Sequence, residues 1–254
     1  MSDLSDFKLF AKHLAELSGT VIASYFRSNI QIDSKSDNSP VNIADKSAEE
    51  LMRLEIMNEF PQHGIIGEEF GTYNDSAEYK WILDPIDGTK SFICGAVTFG
   101  TLIALVKNDK PILGVINQPV LNEFLIGDNY SSELNGQKVH VRNCDSLSEA
   151  VLLTTDHLDI KKYQDINKFD KLTGKVKLYR NWGDCFGYYL VATGFADIMV
   201  DPIMNLWDKM ALMPIINGAG GTITNYYGGD PLIGTSIIAT GGSIHKEVIN
   251  TLNL

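Results

Sequence analysis

The chain has 254 residues, 44% of them hydrophobic and 21% charged, with a formal net charge of -11. That is enough chain to bury a sizeable core in one large domain or two small ones. The negative balance excludes nucleic acid as the main partner, and no stretch reaches the ~20 apolar residues of a membrane span.

In chain order, apolar residues at threes and fours predict a helix over 5–26, from Phe7 to Tyr25. This opening segment carries acids and bases throughout and does not read as a signal peptide. Residues 28–45 are polar and read as a strand followed by a loop, and a second amphipathic helix is expected over 45–60, stopped by Pro61. Short strands follow over 64–71 and 78–84, and 99–128 has the pattern of a β-hairpin turning at "KNDK". The second half opens near residue 146, with strands over 150–156, 175–181, 196–201 and 221–228 and helices over 184–194 and 208–220. The expected division is two closely packed α+β halves, 1–145 and 146–254. Cys94, Cys144 and Cys185 have no metal-binding spacing and suit a reducing cytoplasm.

The chemistry gathers in acids at the ends of elements: Asp45, Glu68 with Glu69, Asp84 with Asp87, and Asp208. Asp84 and Asp87 stand where an apolar run stops, and like charges held that close raise each other's pKa unless something positive sits between them. Clustered carboxylates suit a hard cation, Mg²⁺ or Mn²⁺. A helix opening at Asp87 would aim the N–H groups of Gly88 and Thr89 at an anion such as phosphate. Taken singly these segments have plainer readings: "DPIDG" is a good turn, "GEEFG" a solvated loop and "WDK" a helix start.

Together, "GEE" (67–69), "WILDPIDGTKSF" (81–92) and "NLWDKMALMPIINGAGG" (205–221) resemble the signature motifs of the inositol monophosphatase superfamily, and the similarity runs nearly end to end. The resemblance implies a layered αβαβα sandwich and a lithium-sensitive phosphomonoesterase using two or three Mg²⁺ ions, cytoplasmic and homodimeric. It also implies ligands: Glu68, Asp84 and the Ile86 carbonyl for one ion, and Asp84, Asp87 and Asp208 for a second. Asp45 and Thr89 would polarise the attacking water with Glu68 nearby, and Gly88 and Thr89 would bind phosphate.

The segment "RNWGDCFGYYLVATGFADIMVDPIMNLWD" (180–208) looks more like the histidinol-phosphate phosphatase branch. There Gly183, Asp184, Cys185 and Asp201 are the candidate substrate contacts. An acid at Asp184 suits the ammonium of histidinol phosphate, since a desolvated cation needs a carboxylate. The same Asp184 also reads as a helix cap. The role of Arg180 stays open, and Trp182, Phe186 and Tyr189 read as core. The alternatives are the same chemistry on inositol or another sugar or nucleotide phosphate, or a non-catalytic binder of metal and phosphate.

Overall fold

The structure, a computed structural model, describes residues 3–28, 32–34 and 40–254. The expected strand and loop over 28–45 lie largely outside the described residues. Helix α1 (Leu4–Tyr25) is capped at Asp3, which accepts N–H groups of Ser5 and Asp6. Strands β1 (Ile32–Ser34) and β2 (Pro40–Asn42) pair antiparallel. Helix α2 (Ile43–Glu59) follows, then β3 (Gly64–Gly67), β4 (Gly71–Tyr73) and β5 (Tyr79–Asp87). The short α3 (Thr89–Ile93) leads into a meander of β6 (Gly100–Lys107), β7 (Lys110–Gln118), β8 (Glu123–Gly127), β9 (Ser132–Leu134) and β10 (Gln137–Lys138). "KNDK" is indeed its first turn: Asn108 and Asp109 both hold positive φ, 50° and 61°, which matches the twist of a tight hairpin.

The C-terminal half comprises β11 (Val151–Leu153), α4 (His157–Tyr163), α5 (Ile166–Thr173), β12 (Leu178–Arg180), α6 (Asp184–Ala192) and β13 (Ile198–Asp201). Then come α7 (Leu206–Met210), α8 (Leu212–Gly218), β14 (Thr222–Thr224), β15 (Ile237–Thr240) and α9 (His245–Asn253). The single helix expected over 208–220 is broken at Ala211. Pro214 has no N–H to give the carbonyl of Met210 four residues back, and its ring crowds that carbonyl.

These elements make five layers. Helices α1 and α2 cover the outer face of an eight-stranded sheet, ordered β10-β9-β8-β7-β6-β5-β3-β4, through Phe7, Leu14, Met52 and Ile56 packed on Trp81, Leu83 and Ile103. Its inner face meets α6 and α8, whose other side packs on a five-stranded sheet ordered β12-β11-β13-β15-β14. Helices α4, α5 and α9 close the far side through Ile160, Phe169, Leu172 and Val248. The αβαβα sandwich is therefore as expected. The C-terminal ends of β5 and β13, at Asp87 and Asp201, open on one cleft with Thr155, which follows β11. Ligand clefts form at such ends.

Candidate active site

On a regular strand, residues three apart point to opposite faces. Asp84 and Asp87 escape that rule. Asp84 pairs with Leu102 and Asp87 with Gly100, so β5 carries one extra residue against β6 between them. This bulge spans Pro85 and Ile86; Pro85 has no N–H for the ladder, and the Thr101 hydroxyl donates to the Pro85 carbonyl at 2.8 Å. The bulge turns Asp87 toward Asp84. One carboxylate oxygen from each of Asp84, Asp87 and Asp208 lies within 4.8 Å of the others.

Glu68 arrives by strand register. Gly67 at the end of β3 pairs with Leu83 of β5, and the N–H of Glu68 donates to the Leu83 carbonyl at 3.2 Å, so Glu68 stands beside Asp84. Asp45, buried in the first turn of α2, also raises the pKa of Asp84. Asp208 sits in the first turn of α7 and accepts the Asn205 N–H at 2.6 Å.

The electrostatics are those of an anion cluster. Burial, then Glu68, Asp87, Asp208 and Asp45, push Asp84 well above the usual carboxylate range. Burial and then Asp184 and Asp208 do the same to Asp87. Burial first, with Glu68 and Asp201, raises Asp208 to about 6. Asp84 Oδ1 is buried with no hydrogen-bond partner among the described residues. Oxygen-only donors, mutual repulsion and an orphaned buried oxygen fit a hard divalent cation.

The helix expected to open at Asp87 begins two residues later. Asp87 stays in the strand, and Gly88, at φ +89°, turns the chain into α3. A Cβ there would meet Asp184 Oδ2 at 3.0 Å and the Thr98 carbonyl at 3.1 Å. The Thr89 hydroxyl donates to the Ile86 carbonyl at 3.0 Å.

The opposite wall comes from the second sheet. Asp184, Asp201, Asp87 and Asp208 line one cleft with Thr155, Asp156, Asp159, Pro202, Ile203 and Met204. Asp184 holds positive φ, 50°, and its N–H donates to Thr155 Oγ1 at 2.8 Å. The cap position of α6 is Gly183 and Asp184 is its first residue; among the described residues the Asp184 carboxylate accepts no backbone N–H of that turn. Burial and then Asp201 raise Asp184 to about 7, against the opposing charge of Lys90. Asp201 accepts the Thr155 N–H at 3.2 Å and the Tyr188 hydroxyl at 3.0 Å. Burial nonetheless lifts it to about 6.

Gly183 and Cys185 stand behind that wall. A Cβ on Gly183 would meet Thr155 Cα at 2.1 Å. Cys185 is fully buried and its N–H donates to Asp87 Oδ2, so it reaches the cleft through Asp87. Arg180 is exposed and donates to the neighbouring Tyr179 carbonyl at 2.7 Å; the cation that acts on Asp184 is Lys90. Tyr189 is buried with Phe186 stacked on it, but Trp182 is 45% exposed and is not core. Thr155, Asp156 and Asp159 line the cleft without any mark in the sequence. A lone "TTD" after a strand looks like any helix cap, and Asp156 does cap α4.

A layered αβαβα fold with a buried carboxylate cluster opening on one cleft fits a phosphatase that works with a divalent cation. Residues 3–253 match the model of the inositol monophosphatase family, and the chain belongs to that family, whose members are metal-dependent. It is 43% identical over 99% of its length to the bifunctional phosphatase IMPL2 of Arabidopsis thaliana, covering 76% of that protein. It is 38% identical to a histidinol-phosphatase of Chlorobaculum parvum, covering 94% of this chain and 93% of that one. An inositol monophosphatase from Zymomonas mobilis superposes over 100% of both chains with a TM-score of 0.88 at 36% identity. No described helix is long and apolar enough to cross a membrane.

Proposed function

We propose that this phosphatase is Mg²⁺-dependent and hydrolyses histidinol phosphate to histidinol and phosphate, a step of histidine biosynthesis. The observation that carries the reading is the pairing of the Asp84, Asp87 and Asp208 cluster with an acidic wall, Asp184 and Asp201, across the same cleft. An inositol has no charge for such a wall to meet. Histidinol carries an ammonium, and a buried ammonium needs carboxylate partners. Relatives named histidinol-phosphatase support the same choice.

Glu68, Asp84, Asp87, Asp208 and the Ile86 carbonyl would hold two or three ions. When bound, these cations supply Lewis acidity, lowering the pKa of water and offsetting charge on the phosphoryl and leaving oxygens. Asp45 and Thr89 orient the attacking water, with Asp45 as the acceptor of its proton. The N–H groups of Gly88 and Thr89 hold phosphate oxygens, and Gly88 lets the backbone approach closely. Asp184 and Asp201 would hold the ammonium end, and the cations that Asp87 and Asp208 would hold would offset charge on the leaving oxygen. In this division, residues 1–145 carry most of the metal chemistry, and residues 146–254 carry selectivity and Asp208. The reading extends to a cytoplasmic homodimer inhibited by lithium.

Phosphate release from histidinol phosphate, inositol 1-phosphate, fructose 1,6-bisphosphate and a nucleoside monophosphate, with Mg²⁺ and with a chelator, tests it. The expected result is metal-dependent turnover with histidinol phosphate giving the highest kcat/KM. A polyol or sugar ester preferred over it would reassign the substrate, as the name of an Aquifex aeolicus relative, fructose-1,6-bisphosphatase/inositol-1-monophosphatase, suggests. No turnover on any ester would leave a metal- and phosphate-binding protein.

A further inference from the structure

Helix α2 carries a second acid one turn beyond Asp45. Glu49 is 0% exposed, and residues four apart share a helix face. Its carboxylate reaches into the turn between β3 and β4. Oε2 accepts the N–H of Glu69 at 2.7 Å, and Oε1 accepts the N–H of Phe70 at 3.2 Å. Arg53, one turn further along α2, donates to Glu49 Oε1 at 3.1 Å and to the Gly71 carbonyl at 2.9 Å.

The turn has no slack. The N–H of Glu68 is held by the Leu83 carbonyl, and those of Glu69 and Phe70 by Glu49, so each backbone donor of residues 68–70 has a partner. Gly67 is shaped to this arrangement: a Cβ there would lie 1.9 Å from Glu49 Oε1. Burying a carboxylate is costly unless its hydrogen bonds are made. Here they are made to the turn that presents Glu68, from the helix that presents Asp45.

We propose that Glu49 is a positioning residue for the metal centre, clamping the turn 67–71 so that Glu68 is held in fixed relation to Asp45 and Asp84 before any ion binds. This rests on the reading of Glu68 as a metal ligand. Outer partners that orient ligands typically cost roughly 10–100-fold in metal affinity when removed.

The test is titration of the full-length metal-free protein with Mn²⁺ alone, followed by calorimetry, beside steady-state kinetics at increasing Mg²⁺. Glu49→Gln keeps the shape but sets an amide N–H₂ against one of the two backbone donors. It should weaken Mn²⁺ binding roughly tenfold and raise the Mg²⁺ needed for half activity by the same factor. At saturating Mg²⁺, kcat should stay within about threefold of wild type, because the ligands are all present. Gly67→Ala, which drives a methyl into the Glu49 carboxylate, should do the same. Met52→Ala removes core packing from the same helix; it should lower the melting temperature and leave the Mn²⁺ isotherm in place. Glu68→Gln is the reference. If it leaves the isotherm unchanged, the assignment of Glu68 as a ligand fails. If it weakens binding while Glu49→Gln and Gly67→Ala do not, the clamp fails and the ligand assignment stands. Amide exchange on the metal-free wild type needs no variant: Glu69 and Phe70 should exchange as slowly as the paired residues of β3, and exchange at the rate of open chain overturns the clamp.

Discussion

On the wall built by β5, Asp84 keeps a buried oxygen with no protein donor among the described residues, whereas on the wall built by β13 Asp201 is satisfied by Thr155 and Tyr188. Both acids are buried and both are pushed upward in pKa. The first is raised by burial and then by four other carboxylates, the second chiefly by burial with donors pulling it back. An orphaned carboxylate surrounded by carboxylates must either take up a proton or meet a cation from outside the chain. An anion already hydrogen-bonded is a finished feature, ready to meet a cationic group without reorganising. The cleft therefore offers two kinds of negative site, one incomplete and one complete.

Replacing Asp84 by asparagine is the strongest way to break that contrast. It removes the charge from the centre of the incomplete site and should lower kcat by at least ~10³-fold, the equivalent of several kcal/mol of lost charge stabilisation. Phosphate release at saturating Mg²⁺ measures it, and a wild-type rate would mean that the cluster is not the catalytic centre.

Asp184 joins the two walls, since it faces both Asp87 and Asp201. Since Gly183 and not Asp184 holds the cap position of α6, Asp184→Ser is a direct test of selectivity. A hydrogen bond to a charged group contributes roughly 1.5–3 kcal/mol, so kcat/KM for histidinol phosphate should fall on the order of tenfold to a hundredfold. Inositol phosphate should lose little, because serine still bonds a hydroxyl. Equal losses on both esters would remove Asp184 from substrate recognition.

The incomplete wall was legible in the sequence and the complete one only in part. Acids at strand ends announce themselves in "GEE" and "LDPID" because short segments place them, but the bulge that aligns Asp84 with Asp87 was not legible: the sequence reads as a strand ending at Asp84, whereas β5 runs on to Asp87. Thr155 and Glu49 carry no such mark. Glu49 stands beside Glu50 in what reads as a solvated helix face, and only the tertiary approach of the turn at Glu69 makes it a buried acceptor. Helices α4, α5 and α9 are short, 7 to 9 residues. Each shows its buried face in only one to three positions, such as Phe169 and Leu172 or Val248 and Leu252, which do not stand out from a loop until the sheet they pack on is in place. The alignment of the parallel strand ends, which puts Glu68 beside Asp84, is a property of register and not of any one segment.

Thr155 tests whether the complete wall is one unit. Its hydroxyl accepts the N–H of Asp184 and its own N–H donates to Asp201. Thr155→Val keeps the shape and strands the Asp184 N–H, which costs about 1 kcal/mol or more. The expected loss in kcat/KM for histidinol phosphate is roughly fivefold, with the Mg²⁺ requirement unchanged. An altered Mg²⁺ requirement would show that the walls are not separable.

The smallest effect on turnover, and the most direct test of the second wall's energetics, comes from pH. Asp201 is raised from 3.8 to about 6 in the folded protein. A carboxyl whose folded value is raised contributes its full stability below the unfolded value and loses it as pH climbs through the folded one. The loss therefore falls between about pH 4 and pH 6, and the charged form at neutral pH costs on the order of 1–3 kcal/mol. Asp201→Asn removes that titration without orphaning its neighbours. The amide oxygen can accept the Thr155 N–H while the amide N–H₂ donates to the Tyr188 oxygen, and the Tyr188 proton turns to Met204 Sδ, already 3.3 Å away. Melting temperatures of the metal-free wild type and variant, taken from pH 4 to pH 8, should diverge in the variant's favour through that window and then run parallel. A shift of a few degrees is the expected size. If the difference between the two proteins is constant with pH, Asp201 ionises in the fold as it does in the unfolded chain, and its donors offset its burial completely.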